Sequence, residues 1–129
     1  MPTRTFYIGD IISVATGRYV TRNGMPGIHA LLDWMTGDTL MTHQLPRAFD
    51  ECAPDLLRQF PQLVDLTVPE FATKAQGWAW TDELPARFGE FHEVTPLPAG
   101  DHAVIDPIAE LRMMRPDLDP IIVVLPEGT

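Results

Sequence analysis

The chain has 129 residues, of which 45% are hydrophobic, so it should form one globular domain over residues 1–129, and wholesale disorder is excluded. Eighteen acidic residues against nine lysines and arginines give a net charge of −9, and the lack of clustered cations argues against direct nucleic-acid binding. Thirteen prolines predict short helices and many rigid turns, because each proline fixes its backbone and removes a hydrogen-bond donor.

Residues 6–20 are predicted to form two short strands. Ile12 and Val14 alternate with Ser13, which is the period of a strand with one buried face. A Thr16-Gly17 turn then precedes a second short run, and this arrangement is typical of a hairpin.

Two helices are predicted over residues 26–61. Pro26 suits a first helical position, and Gly37 suits the left-handed residue that ends a helix. The second helix should start within residues 42–46 and end at Pro61, with Pro54 either kinking it or opening a separate turn. Apolar residues at i, i+3, i+4 and i+7 form a single stripe along the first helix, namely Ile28, Leu31, Leu32 and Met35.

The C-terminal half is predicted to mix short helices and strands. Thr67 and Glu70 stand in capping-box spacing, which predicts a helix that runs to Gly77. We expect an α+β fold in which about 4–5 short helices pack on a small antiparallel, or mixed, sheet of about 3–5 strands. The remaining elements are a helix from residues 81–83 to Gly89, a strand over 91–97, a helix from Asp106 that stops at Pro116, and a strand over 121–125.

Cysteine content and hydropathy limit the setting in which the protein works. Cys52 is the only cysteine, so an intramolecular disulfide and a thiolate metal cluster are excluded. The first residues lack the apolar run of a signal peptide, and no segment approaches the roughly 18 apolar residues of a membrane span. We therefore expect a soluble protein in a reducing cytoplasm, without membrane contact.

The stretch from Met35 to Arg47, here named the central block, joins two predicted helices. As a binding surface it would hold a partner or a small ligand, with Arg47 pairing bidentately with a carboxylate or phosphate. As a structural element it would satisfy turn amides through Asp38, cap the next helix, and pair Arg47 with an internal carboxylate. The structural interpretation is favoured, although capping does not explain why histidine precedes glutamine. The candidate binding residues of the block are Asp38, Thr42, His43, Gln44 and Arg47.

Several motifs together resemble a known family. They are Gly9-Asp10, Thr16-Gly17-Arg18, Thr36-Gly37-Asp38, Thr42-His43-Gln44-Leu45-Pro46-Arg47, and Asp106-Pro107-Ile108 with Glu110-Leu111. The family consists of small bacteriophage proteins labelled as a domain of unknown function, and the resemblance covers nearly the whole chain. It implies a phage or prophage gene expressed in a bacterial host, but no catalytic residues. Accessory phage genes of this size often encode inhibitors of host defence, such as anti-CRISPR proteins.

Catalytic and metal sites are disfavoured by the residue spacing. Thr42, His43 and Asp38 lack the glycine-rich elbow of a nucleophilic site, and adjacent side chains in a helix point in different directions. No metal site or cofactor is predicted, because no pair of histidines has i, i+4 spacing among His29, His43, His92 and His102.

Two further groups have ordinary structural explanations. Asp101, Asp106 and Glu110 are interpreted as capping or solvated charges. Trp78 and Trp80 would form an aromatic platform in a strand, but in a helix they would pack over the core, which is the favoured interpretation.

Three hypotheses about function follow. The leading one is a non-enzymatic phage protein in the host cytoplasm that inhibits a host component with a basic surface, in particular a CRISPR effector. Its carboxylates would pair with the partner's cations while an exposed aromatic such as Trp80 anchors the contact. The second hypothesis is a sponge or small enzyme for a nucleotide-like ligand, whose pocket would be lined by Arg18, Asp38, His43 and Arg47. The third is a structural or replication accessory protein in which the central block serves only the fold.

Overall fold

Six α-helices and two short strands follow one another along residues 2–114, the part of the chain that the computed structural model describes. None of the helices within this range combines the length and the apolar character that crossing a bilayer requires. Two single-turn 3₁₀ helices, Thr42–Gln44 and Pro61–Leu63, lie on either side of the longest helix. The elements in chain order are β1 (Arg4–Tyr7), α1 (Ile8–Thr16), α2 (Gly24–Thr36), α3 (Leu45–Gln59), α4 (Lys74–Asp82), α5 (Leu84–Phe88), β2 (Phe91–Val94) and α6 (Pro107–Met114).

Helix α1 lies at the centre of the hydrophobic core. Eight of its nine residues are buried, because α2, α3 and α5 pack around it. Its one buried hydroxyl is satisfied locally: Ser13 Oγ donates to the Gly9 carbonyl at 2.7 Å and accepts the Val20 N–H at 3.0 Å. The helix can therefore be enclosed on all sides without an unpaired polar side chain.

The prediction of two strands over residues 6–20 is wrong beyond the first four-residue strand. A helix buried on every side has apolar residues all round its circumference, so no amphipathic stripe marks it. In such a run the alternation of Ile12, Ser13 and Val14 carries no information about strand period, and short apolar runs fit either element.

Helices α2 and α3 follow the predicted pattern. Helix α2 ends at Gly37, whose φ of 70° is a left-handed conformation that glycine adopts without steric cost. Helix α3 continues through Pro54 to Gln59, so this proline opens no separate turn. The buried residues of α2 are those of the predicted stripe, Ile28, Leu31, Leu32 and Met35.

A buried carboxylate joins the beginning of α1 to the beginning of α2. Asp10 is 3% exposed, and it accepts hydrogen bonds from the Thr21 hydroxyl at 2.7 Å and the Asn23 amide at 3.0 Å. Gly27 in the first turn of α2 lies directly against it, since a Cβ there would lie 2.7 Å from Asp10 Oδ1. The positive end of the α2 dipole favours a carboxylate at this position.

Strands β1 and β2 form a two-stranded antiparallel sheet, with Tyr7 opposite Phe91 and Phe6 opposite His92. The mixed α and β composition and the antiparallel pairing are confirmed. The expected 3–5 strands are not found among the described residues, because the first strand of the predicted hairpin lies in α1 and the run after the Thr16-Gly17 turn lies in the loop that follows this helix. Strand β2 ends at Val94, before the predicted end at residue 97. The predicted strand over 121–125 lies outside the described residues.

The predicted helix over residues 67–77 is wrong at both ends, since helix α4 continues through Gly77 to Asp82. Helix α4 begins at Lys74, where the Thr73 hydroxyl accepts the Gln76 N–H at 3.2 Å as the N-cap. Pro69 accounts for the difference, because proline disfavours helical geometry at the residue before it. Capping-box spacing alone therefore did not identify a helix start.

Two other helix boundaries are confirmed. Helix α5 ends before Gly89, as predicted. Helix α6 begins at Pro107, and the Asp106 carboxylate accepts the N–H groups of Ile108 and Ala109, each at 3.1 Å. The predicted stop at Pro116 lies outside the described residues.

Candidate functional site

The central block faces the segment that follows β2 and helix α6. Arg47 of α3 forms a two-point ion pair with Glu110 of α6, with Nε to Oε2 at 2.8 Å and Nη2 to Oε1 at 2.7 Å. Its Nη1 donates to Glu51 at 2.8 Å and to the Ala103 carbonyl at 2.6 Å. Most of the donor capacity of this guanidinium is therefore used inside the molecule.

The Arg47–Glu110 pair is sheltered from solvent, with side-chain exposures of 23% and 6%. The hydrogen bonds that Arg47 donates to Glu110 raise the pKa of Arg47 and hold the pKa of Glu110 below its usual range. The expectation that Glu110 is a solvated charge is wrong, because Arg47 and Gln44 compensate its burial.

His102 lies between two carboxylates. Its Nε2 is 3.0 Å from Asp38 Oδ2 and its Nδ1 is 2.5 Å from Glu51 Oε1, while the side chain is only 6% exposed. Burial alone lowers the pKa of the imidazole, but the hydrogen bonds to Asp38 and Glu51 outweigh it and the net pKa is raised. Because carboxylates only accept, this geometry suits the imidazolium form, with both nitrogens donating.

The Gln44 side chain is fully buried and forms three hydrogen bonds. Its Oε1 accepts the Met41 N–H at 2.9 Å, and its Nε2 donates to the Ile105 carbonyl and to Glu110, each at 3.0 Å. His43 Nε2 lies 2.7 Å from the carbonyl oxygen of Pro107 at the start of α6. These contacts supply the reason for His43 beside Gln44 that capping did not provide.

Thr42, in contrast, is exposed. The central block therefore fixes the segment over 102–110 to the helical core through its other four candidate residues. The contacts between the block and this segment support the structural interpretation of the block.

Within residues 2–114 no three His, Cys, Asp or Glu side chains are arranged to hold a metal ion.

The structure does not bring Arg18 to the central block. The Arg18 guanidinium donates to the carbonyls of Val68 and Pro69 at 3.3 and 3.4 Å, and it pairs with Glu70 at 3.2 Å. None of these three residues contacts Arg47, so the pocket proposed for a nucleotide-like ligand is not formed by its four candidate residues.

Trp80 packs against the core from helix α4 and is only partly exposed. Its ring lies 5.9 Å from the ring of Phe71 and 5.9 Å from the guanidinium carbon of Arg87. Trp78 is on the same helix, so the aromatic platform that a strand would have produced is absent.

The outward face of the sheet presents an aromatic pair that the sequence analysis missed. Phe91 is 58% exposed, and its ring meets Tyr7 edge-on with centroids 6.0 Å apart. Phe6 and Val94 point into the core. Because successive side chains of a strand point to opposite faces, the residues next to them point to the other face of the sheet. This outward set, here named the sheet face, consists of Thr5, Tyr7, Phe91 and Glu93.

Acidic groups surround the aromatic pair. Glu93 belongs to the sheet face and Glu90 precedes Phe91, and both are exposed. The pKa of the Tyr7 hydroxyl is raised, first by partial burial and then by the negative charges of Asp82 and Glu90. The strand predicted over residues 91–97 was the available signal for this face, but it does not show that Tyr7 stands opposite Phe91.

Residues 6–66 match the model of a family described as a domain of unknown function (DUF7736). This range includes the last two residues of β1, helices α1, α2 and α3, and the whole central block, whereas His102 and Glu110 lie beyond it. No curated protein and no solved structure matches the chain. The chain thus contains a domain of unknown function over residues 6–66. The resemblance carried by the sequence motifs also implied a domain of unknown function.

Proposed function

We propose that this protein is a non-enzymatic inhibitor that binds a basic surface of a host protein, and that it is a phage product directed against host defence, in particular a CRISPR effector. The observation that carries the proposal is the sheet face, where the exposed Phe91 ring packs against Tyr7 beside Glu90 and Glu93. An aromatic centre with a charged rim is the arrangement found where protein partners dock.

The charge of the chain supports a basic partner. A net charge of −9 produces a long-range attraction for cationic surfaces and accelerates encounter. The carboxylates of Glu90 and Glu93 would then pair with arginine or lysine at the rim, while Phe91 enters a recess of the partner. Since rim pairs are exposed, their contribution weakens as salt screens them.

The interior contacts of the central block move the proposed site away from it. Arg47, Gln44 and His43 bind residues of the chain's own C-terminal half. A partner would have to displace these bonds, which costs more than pairing with groups that are already solvated. For the block itself, this favours the hypothesis of a purely structural role.

A capture experiment tests the sheet face. Tagged wild-type protein and the variants Phe91→Ala and Glu90→Gln/Glu93→Gln are passed through bacterial lysate at low and at physiological salt. Val64→Ala is the matched control, because Val64 has the same 58% exposure as Phe91. We expect a stoichiometric protein partner that Phe91→Ala loses and Val64→Ala retains.

The double variant should bind that partner more weakly and with less dependence on salt. Equal capture by Phe91→Ala and wild type would exclude the sheet face as the docking surface.

The inhibitory role requires a separate assay. Phage plaques are counted on hosts that carry defined defence systems, with and without expression of the protein. Protection of the phage by wild type, lost in Phe91→Ala, supports the proposal. Plaque counts that are unchanged on every defence-bearing host contradict it.

A further inference from the structure

A second surface feature lies apart from the sheet face, between the loop that follows α1 and helix α4. It is a groove of about 280 Å³. Pockets for drug-sized ligands are commonly about 300–1,000 Å³, so this groove is large enough for one small ring system. Three of its six lining residues are aromatic, and the full lining is Tyr19, Phe71, Lys74, Gly77, Trp78 and Thr81.

The Trp78 wall is fixed before any ligand arrives. The guanidinium carbon of Arg22 lies 4.4 Å from the centroid of the Trp78 ring. Asp82 holds that guanidinium through two hydrogen bonds of 2.9 and 2.8 Å. A ring held in this way loses little conformational freedom when a second ring stacks on it.

The Phe71 wall is fixed as well. Phe71 lies against the α4 backbone at Gly77, where an added Cβ would be 3.3 Å from Phe71 Cδ2. Its other neighbour is the ring of Trp80, at 5.9 Å between centroids. Glycine is a poor helix former, but here its small size lets the ring approach the helix closely.

Lys74 provides the charge at this groove. It is the only lysine of the chain, and within residues 2–114 it forms no ion pair. The neighbouring arginines already form ion pairs, Arg22 with Asp82 and Arg18 with Glu70. An aromatic groove with one uncommitted ammonium group matches a ligand that combines a flat ring with a single negative charge.

We propose that this groove binds a small planar aromatic carboxylate, with the ring between Tyr19 and Trp78 and the carboxylate on the Lys74 ammonium. The ligand needs no second cation. The proposed site shares no residue with the sheet face, so either one can fail without the other.

The single lysine makes the test direct. Reductive ¹³C-methylation keeps the ammonium charge and labels Lys74, with the N-terminal amine as the only other labelled group. The labelled protein is titrated with indole-3-acetate, with its neutral analogue indole-3-acetamide, and with acetate. We expect a saturable shift of the Lys74 signal with indole-3-acetate and a Kd below about 1 mM.

The analogues separate the contributions of ring and charge. The amide should bind about fivefold more weakly, as expected for the loss of an exposed ion pair, and acetate should give no saturation. No saturable shift with indole-3-acetate up to about 10 mM, or equal affinity for acid and amide, overturns the proposal.

Variants then locate the site, with the Trp78 indole N–H signal as the readout. Lys74→Met should weaken indole-3-acetate about fivefold and leave indole-3-acetamide unchanged. Tyr19→Ala should weaken both ligands at least about threefold, and it is a safe substitution because Tyr19 is 54% exposed. Arg112→Met, which removes an exposed cation on α6, is the charge-matched control and should change nothing. Equal weakening by Lys74→Met and Arg112→Met contradicts the assignment.

Discussion

Arg47 and Glu110 connect two helices that are far apart in the sequence, α3 and α6, through a two-point ion pair of 2.8 and 2.7 Å. Around this pair, Glu51 accepts from Arg47 and Ala103, while Gln44 donates to Glu110. The segment over 102–110 is thus attached to the helical core by polar contacts. Removal of one partner would leave the other charge sheltered and uncompensated.

The first prediction concerns this pair. Arg47→Met should reduce the free energy of unfolding by about 2–3 kcal/mol, because it leaves Glu110 buried without its cation. Arg18→Met is the control, because its partner Glu70 is 92% exposed and stays solvated without the guanidinium, and it should cost less than about 1 kcal/mol. Urea denaturation followed by circular dichroism measures both. Similar losses in the two variants would show that the Arg47 network adds no more than a surface pair.

The second prediction concerns the dependence of stability on pH. Because the pKa of His102 is raised in the folded state above its ordinary value of 6.5, its stabilising effect is complete below that value. The effect is lost as the pH rises through the folded pKa, at about 1.4 kcal/mol for each unit of pKa difference.

The comparison of wild type with His102→Gln measures it. The stability difference between the two proteins should be largest near about pH 5.5 and should narrow toward about pH 9. An NMR titration of the imidazole provides the folded pKa directly. A difference that stays constant across this range would mean that Asp38 and Glu51 do not favour the charged ring.

The fold was predictable from sequence where a helix has one apolar side. The stripe of α2 and its end at Gly37 required only local rules, as did the cap of α6 at Asp106. Helix α1 was not predictable in this way, because its burial on all sides depends on helices that close around it later in the sequence.

The central block shows a similar limit. Its side chains indicated dense hydrogen bonding, and Arg47 pairing with an internal carboxylate was one of the two interpretations. The partners could not be named, since His102 and Glu110 lie 51–66 residues along the chain from the groups that they contact. Local spacing contains no information about such pairs, whereas caps and turns are formed by near neighbours.

The third prediction concerns Gly27. A Cβ at this position would lie 2.7 and 2.8 Å from the two carboxylate oxygens of Asp10, and that side chain is held in place by Thr21 and Asn23. Gly27→Ala should therefore destabilise the protein by about 2 kcal/mol, although alanine is the better helix former by about 1 kcal/mol.

Gly77→Ala is the matched control for this substitution. It is also a glycine inside a helix, but its nearest contact would be the Phe71 ring at 3.3 Å. Its effect on the free energy of unfolding should be below about 1 kcal/mol. Thermal or urea unfolding compares the two variants, and a stabilised Gly27→Ala would show that Asp10 moves freely.

The fourth prediction uses Cys52 as a reporter of unfolding. Its side chain is fully buried, and burial, with smaller contributions from Glu51 and Asp55, raises the pKa of the thiol to about 12. Because the thiolate is the reactive species, native protein should resist a thiol reagent near about pH 8. Labelling should then follow the population of unfolded chains.

Arg47→Met links this measurement to the first prediction. A loss of about 2 kcal/mol raises the unfolded population about thirtyfold, and the labelling rate in the absence of urea should rise by the same factor. Arg18→Met, whose partner Glu70 is exposed, should leave the rate within about fivefold of wild type. Rapid labelling of the wild-type protein without denaturant would mean that helix α3 opens locally at Cys52, independently of global unfolding.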